Sequence, residues 1–190
     1  MPELLVREAK KAGAEFMFNG DALYSMTPPE TMFGFTYHAH MIPPFKPEHT
    51  LILGYGYGTI AELMRKVWGG QLKVTGVDVE AHDYPYVEHR LKVMDAKKFM
   101  KDCTEGTFAL FKEKFDYSVI DLWDGLKVPE FVFDIEFAVR LSKMATKMLS
   151  INLMQADMKR INNSFGNYGG FWFERGTPID GNVVMWWSCK

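Results

Sequence analysis

The sequence predicts an α/β domain with a mostly parallel sheet and helices on both faces. First, short apolar runs with strand character alternate with amphipathic helical runs along most of the 190 residues. Second, the apolar run Leu51–Leu53 leads through a glycine-rich stretch directly into a helical pattern. Third, three of the predicted strands end in an aspartate. This order of elements favours right-handed crossovers in an open parallel sheet.

Length and composition indicate one ordinary globular domain. The chain is 47% apolar and 24% charged, with a net charge of −2 that gives no electrostatic footprint for nucleic acid. It contains no apolar run long enough to span a membrane and no signal peptide. Because of the charge we expect no nucleic-acid partner, and because of the missing apolar run we expect no membrane partner. Cys103 and Cys189 are far apart in sequence and are interpreted as reduced thiols of a cytoplasmic protein.

The N-terminal part of the chain is predicted to form a separate small segment. Residues 3–12 have the pattern of a short amphipathic helix, and Asn19-Gly20 between apolar runs favours a hairpin over Phe16–Tyr24. A helix follows from Glu30 to Met41, and prolines at 43–47 form a linker. We therefore divide the chain into a hairpin and helix segment, residues 1–47, and a main domain, residues 48–190.

The glycine stretch has the features of a ligand-binding loop. Gly54, Gly56 and Gly58 stand at alternate positions after the first core strand, and a helix with apolar residues at 60, 63, 64 and 67 begins directly after them. Thr59 and Glu62 have the spacing of a capping box at the helix start. Backbone N–H groups without side chains allow a nucleotide or nucleoside to approach closely.

The remaining elements complete the alternation of strands and helices. Strands are predicted over residues 72–78, 90–95, 117–121 and 148–153, with helices over 96–101, 108–114 and 130–147. An antiparallel closing pair is predicted from Phe171–Phe173 and Asn182–Trp187.

Three strand-end acids are expected to meet the glycine loop at one edge of the sheet. Asp78 follows the loop by about 20 residues, where a carboxylate accepts hydrogen bonds from ribose hydroxyls. Thr59 stands where a dinucleotide fingerprint prefers glycine, so the spacing favours an adenosine-type ligand without a pyrophosphate. Asp95 either accepts the exocyclic amine of adenine or caps the helix that follows it.

Asp121 and Asp124 form a second candidate site at the end of the fourth core strand. An alkylammonium, with a pKa of about 10, must lose a proton before it acts as a nucleophile, and a neighbouring carboxylate can hold the amine and take up that proton. The alternative is an Asp-Gly turn without chemistry. No metal is expected, because His38 and His40 would point to different faces of the predicted helix.

In these features the chain resembles the spermidine synthases and their relatives within the class I S-adenosylmethionine-dependent methyltransferase fold. Phe18-Asn-Gly20, Phe35-Thr-Tyr37-His38, the glycine loop, Asp78, Asp95, Asp121-x-x-Asp124 and Asn167-Tyr168-Gly-Gly are similar to family segments in the same order. The resemblance implies a Rossmann-like domain with a seven-stranded sheet, S-adenosylmethionine or its decarboxylated form as cofactor, and a small amine as substrate. A homodimer is one option for its assembly.

The resemblance also assigns roles to residues. The cofactor would be bound by Gly54, Tyr55, Gly56, Gly58, Asp78, Asp95 and Ala96; Asp121 and Asp124 would be catalytic; Tyr37, His38 and Tyr168 would contact the substrate. The side chain of Tyr55 either covers the nucleoside or packs inside the domain.

Several positions depart from the family pattern, mostly on the side that recognises the aminopropyl donor. Tyr57 replaces the aspartate that binds the donor ammonium, and Ala39 and Ala138 replace a glutamate and a tyrosine. These changes favour methyl transfer over aminopropyl transfer by a small margin. Aminopropyl transfer stays open as an alternative, as does a nucleoside-binding protein without catalysis, and an NAD-dependent oxidoreductase ranks third.

Overall fold

The computed structural model describes residues 16–19, 22–26, 37–56, 58–80, 90–105, 114–166, 172–176 and 182–189. The helices predicted over 3–12 and from Phe108, and most of the helix predicted from Glu30, lie outside these residues, as do Tyr57 and Tyr168. The division into residues 1–47 and 48–190 stays a prediction.

The predicted fold class is confirmed. An antiparallel hairpin precedes one seven-stranded sheet, whose strand order is β5-β4-β3-β6-β7-β9-β8. The strands are β1 (Phe16–Asn19), β2 (Ala22–Met26), β3 (His49–Leu53), β4 (Lys73–Asp78), β5 (Arg90–Val93), β6 (Phe115–Ile120), β7 (Ala145–Met154), β8 (Trp172–Gly176) and β9 (Asn182–Ser188). The helices are α1 (Tyr37–His40), α2 (Thr59–Trp68), α3 (Ala96–Thr104), α4 (Ile135–Met144) and α5 (Met158–Phe165).

The strand order reverses beside the central strand. β3 pairs in parallel with both β4 and β6, while β5 and β7 extend the parallel part outwards on either side. β9 pairs antiparallel with β7 and β8, so the predicted closing pair is confirmed. In open sheets of this kind the ligand crevice lies at the carboxyl ends of the strands, where the order reverses. Here that point is between β3 and β6.

Two layers of helices cover the sheet because its central strands are apolar on both faces. On the α2 face, Ile52, Val119 and Trp186 pack with α2 and with Met41 after α1. On the opposite α3 face, α3, α4 and α5 contribute Phe99, Leu141, Phe165 and their neighbours. Among the described residues, no helix is long and apolar enough to cross a membrane.

The long helix predicted over 130–147 is wrong at both ends. Glu130–Phe133 forms a 3₁₀ turn, and Asp134 is extended (φ −74°, ψ 135°), so α4 begins only at Ile135. At the other end Ala145 pairs with Phe115 and opens β7. The apolar spacing continues through both boundaries. From Ala145 onwards, however, the backbone forms the hydrogen bonds of the sheet and is no longer helical.

Candidate functional site

One cross-strand row of residues organises the site. Leu53 pairs with Val77 on one side and Ile120 on the other, and Ile120 pairs with Ile151. The next residue on each strand is therefore in register with the others. These four residues, which we call the site row, are Asp78, Gly54, Asp121 and Asn152.

The three side chains of the site row, those of Asp78, Asp121 and Asn152, share the α2 face. Val77, Ile120 and Ile151 belong to the core on the α3 face, and successive strand residues point to opposite faces. The N–H of Gly54 donates to the carbonyl of Val77 (2.9 Å), and the N–H of Asp121 donates to the carbonyl of Leu53 (2.8 Å). Asp78 and Asp121 are two strand spacings apart, about 10 Å.

The glycine loop needs its glycines for two reasons, conformation and space. Gly54, Gly56 and Gly58 have φ values of 80°, 52° and 78°, in the left-handed region that L side chains avoid. At Gly54 a Cβ would also lie 2.0 Å from the carbonyl oxygen of Asp121. The loop backbone is therefore packed directly on the residue that carries the second candidate site.

The capping-box interpretation of Thr59 and Glu62 is wrong, although the predicted helix start is confirmed. Gly58 occupies the N-cap and, as a glycine, forms no side-chain hydrogen bond with the helix start. The carbonyl of Gly58 accepts a hydrogen bond from the N–H of Glu62 (2.9 Å). The carboxylate of Glu62 accepts two 2.6 Å hydrogen bonds from Arg65. The left-handed turn at Gly58 replaces the extended conformation that a capping threonine would need.

The side chain of Tyr55 packs inside the domain. It is 5% exposed, and its ring lies so close to Gly76 that a Cβ there would be 2.3 Å from Tyr55 Cδ2. Its backbone N–H donates to Val77 (3.2 Å). Of the two roles considered for Tyr55, the structure favours packing. Tyr55 therefore lines the crevice with its backbone, while its side chain lies in the core.

Asp78 is a buried carboxylate tied to the glycine loop. Its Oδ2 accepts from the N–H of Gly56 (2.7 Å) and its Oδ1 from the N–H of Glu80 (3.2 Å). Only 5% of the residue is exposed. These backbone donors fix the position of the carboxylate beside the loop.

Asp95 caps α3, as one of its two interpretations predicted. Its Oδ1 accepts from the N–H of Lys98 (2.8 Å), and the residue is exposed. Ala96 is buried in the core on the α3 face. The N–H of Met94 donates to the carbonyl of Asp78 (2.7 Å), which holds the end of β5 against β4. Contact with adenine stays a prediction.

Three donors from separate elements converge on Asp121. Tyr37 Oη donates to Oδ2 (3.2 Å), while Trp123 Nε1 (2.9 Å) and Asn152 Nδ2 (2.8 Å) both donate to Oδ1. Tyr37 comes from α1, Trp123 from the loop after β6, and Asn152 from β7. The carboxylate is thus oriented on the α2 face before any ligand arrives.

His38 is buried behind Tyr37. The two rings stack with centroids 3.9 Å apart, and His38 is 3% exposed. Burial lowers the pKa of His38 from 6.5 to about 3, so the imidazole is neutral at pH 7. The end of α1 is anchored by a hydrogen bond from Tyr117 Oη to the carbonyl of Met41. His38 therefore supports Tyr37 by packing, and its predicted substrate contact is untested.

Asp124 lies apart from this cluster in an exposed turn. Its N–H donates to the carbonyl of Lys127 (2.8 Å), and Gly125 has φ 59°, so Asp124–Lys127 is a tight two-residue turn. This geometry contains the Asp-Gly turn of the alternative interpretation, and a catalytic role for Asp124 stays a prediction. Tyr168, the other predicted residue on the substrate side, lies outside the described part.

Trp123 and Asn152 are site residues that the sequence interpretation missed. Asn152 is 1% exposed and, with Ser150, is one of two polar residues in the mainly apolar run Met148–Leu153. A buried amide near the carboxyl end of a core strand was the available signal, because such a group needs a polar partner. Within the described ranges no cluster of three metal-ligating side chains is found.

The sequence matches no protein-family model and no curated protein. Solved structures do match: a candidate SAM-dependent methyltransferase from Streptococcus mutans superposes over 90% of this chain and 52% of its own, with a TM-score of 0.62 and 15% identity. The fold is that of the Rossmann-like methyltransferases.

Two further matches have the same fold. A candidate methyltransferase in complex with S-adenosylhomocysteine (SAH) matches over 79% of this chain and 48% of its own chain (TM-score 0.54, 14% identity). A candidate spermidine synthase from Corynebacterium glutamicum covers 75% and 56% (TM-score 0.56, 17% identity). The chain thus spans about half the length of these proteins. At these identities the likeness establishes the fold alone.

Proposed function

We propose that this chain binds S-adenosylmethionine along the site row and transfers its methyl group to an amine held at Asp121. One observation carries the proposal. A buried carboxylate suited to a ribose and an oriented carboxylate suited to an amine lie on the same face of one row, with the glycine loop between them. When bound, the cofactor supplies an electrophilic methyl group on a sulfonium centre.

The residues on the Asp78 side fit an adenosine. Each carboxylate oxygen has about two acceptor sites, and the two backbone bonds to Asp78 use one on each oxygen. The remaining capacity suits ribose hydroxyls. Gly54 and Gly56 present backbone without side chains next to this acceptor. Asp95 uses one oxygen to cap α3, and its second oxygen is the candidate partner for the adenine amine.

On the other side, Asp121 would hold and deprotonate the acceptor amine. An alkylammonium is protonated at pH 7, and the pair of electrons on its nitrogen becomes available only after proton loss. Donors at 2.8–3.2 Å fix the carboxylate, so the amine would be oriented by a rigid partner. Alignment of this kind supplies much of the acceleration in a direct displacement.

The sequence supports methyl transfer over aminopropyl transfer. By its resemblance to the spermidine synthases, Tyr57 stands where an aspartate would bind the donor's ammonium. Loss of such a charge-assisted contact weakens binding by about 1.5–3 kcal/mol, or roughly tenfold or more. Transfer of an aminopropyl group stays the second candidate, and a nucleoside-binding protein without catalysis the third.

Calorimetry with S-adenosylmethionine, SAH, decarboxylated S-adenosylmethionine and methylthioadenosine tests the nucleoside half. We expect Asp78→Asn to weaken SAH binding by about tenfold, because one acceptor oxygen becomes a donor. Asp134→Asn is the matched control: Asp134 is exposed and makes no side-chain cap at α4. Equal SAH affinity in wild type and Asp78→Asn would contradict the assignment of the ribose site.

Asp121→Asn tests the catalytic half. The Asn side chain can keep Oδ1 toward Trp123 and Asn152 and donate from Nδ2 to the Tyr37 hydroxyl, so the structure accommodates it. We expect at least about a hundredfold loss of turnover with SAH affinity unchanged. Full activity would remove Asp121 from the mechanism. Tight nucleoside binding by the wild type without turnover of any amine would instead favour the non-catalytic candidate.

A further inference from the structure

Asn152 has a buried acceptor for which none of the described residues is a partner. Its Oδ1 has no hydrogen bond within this part of the chain, while its Nδ2 donates to Asp121 Oδ1. Asn152 is 1% exposed, and among the described residues few side-chain oxygens share this condition. A buried amide oxygen is costly without a donor.

The orientation of the Asn152 amide follows from its neighbour. Turning the amide over would place Oδ1 against the Asp121 carboxylate, where two acceptors would face each other. Nδ2 therefore faces Asp121, and Oδ1 is left for another donor. Asn152 sits in the site row beside Asp121, on the same face of the sheet.

We infer that Asn152 Oδ1 accepts an N–H hydrogen bond from the nitrogen that reacts at Asp121. The inference rests on the proposed function for the identity of that nitrogen. Asp121 and Asn152 together then form two adjacent acceptors, one charged and one neutral. Asn152 is a specificity-determining residue, because it favours acceptors with at least two N–H groups.

The number of N–H groups on the acceptor nitrogen decides whether it can donate to both Asp121 and Asn152. A primary or secondary ammonium carries three or two N–H groups and can serve both acceptors, whereas a tertiary ammonium carries one. After one proton passes to Asp121, a primary amine keeps two N–H groups and a secondary amine keeps one. The lone pair released by that proton forms the new N–C bond, and the S–C bond electrons leave with the sulfur. Primary amines therefore satisfy Asn152 throughout the reaction.

Calorimetric titration with n-butylamine and N,N-dimethylbutylamine, each in the presence of SAH, tests the inference. We expect wild type to bind n-butylamine about tenfold more tightly than the tertiary amine. In Asn152→Leu, which keeps the approximate volume but lacks the acceptor, the two affinities should agree within about twofold. Asn152→Ala, which also lacks the acceptor, is the second variant if the first does not fold, and the same result is expected.

Trp123→Phe is the matched control. It also removes an N–H donor to Asp121 Oδ1 but adds or removes no acceptor. We expect it to affect both amines equally and to keep the tenfold preference. If Asn152 served only to position Asp121, both variants would behave alike, and that result would overturn the inference.

The two proposals fail in different ways. If wild type does not bind SAH but prefers n-butylamine through Asn152, the nucleoside half of the proposed function fails, while the amine contact of Asn152 stands. If SAH binds and the two amines bind equally well to wild type, the inference is wrong and the nucleoside half of the proposed function is unaffected.

Discussion

Gly54→Ala should destabilise the protein far more than an ordinary glycine substitution. At φ 80° an alanine costs about 1–2 kcal/mol from its own backbone conformation. Its Cβ would also be 2.0 Å from the Asp121 carbonyl oxygen, 1.0 Å inside the 3.0 Å separation below which real Cβ atoms essentially never lie. Overpacking against backbone adds about 1–3 kcal/mol. We expect a total loss of about 2–5 kcal/mol, out of a typical stability of about 5–15 kcal/mol.

Urea unfolding followed by circular dichroism measures this loss, with Gly125→Ala as the control. Gly125 also has positive φ (59°), but a Cβ there would meet nothing within 4 Å. It should lose only the conformational term, about 1–2 kcal/mol. The difference between the two variants isolates the contact with Asp121. If Gly54→Ala and Gly125→Ala agree within about 0.5 kcal/mol, the glycine loop does not rest on the Asp121 backbone and the reasoning is refuted.

Three further predictions concern other groups. The Asp95→Asn variant should keep the stability of the protein within about 0.5 kcal/mol, because asparagine caps α3 equally well, but it should bind SAH more weakly. Asp95→Ala should lose about 1 kcal/mol of stability. Equal losses of stability in the two variants would contradict the cap. His38 is neutral when folded, so stability should fall as pH drops from 6.5 towards 3, and His38→Phe should show a smaller fall in urea midpoint over pH 6.5–5. Burial raises the pKa of Cys103 to about 12 and of Cys189 to about 11, so iodoacetamide should alkylate both slowly until urea unfolds the chain.

The sequence predicted the parts of the site that follow from strand ends. Apolar runs locate the strands, and parallel strands bring their carboxyl ends to one edge, so Asp78, Asp121 and the glycines were placed together correctly. The two cysteines are free, as expected. Asp95 had two interpretations, and the structure supports the cap without testing the other.

The parts that failed depend on contacts between distant elements. The run Met148–Leu153 fits a buried strand so well that Asn152 drew no separate interpretation, and only pairing with β6 shows its contact with Asp121. α5 was missed although Met158, Ile161 and Phe165 have helical spacing. For Tyr55 the sequence left both covering of a ligand and packing open, and only the fold shows that its ring fills the space over Gly76.

Because Asp78, Gly54, Asp121 and Asn152 share one strand register, the spacing between these residues is fixed by the sheet. The separation between the two carboxylates is set by interstrand hydrogen bonds, whose length hardly varies between proteins. Rotamer changes can adjust it only slightly, because backbone or side-chain donors fix both carboxylates. Compounds that bind both ends must therefore match this span through their own torsions, and widening the range of accepted lengths would require a change in strand pairing.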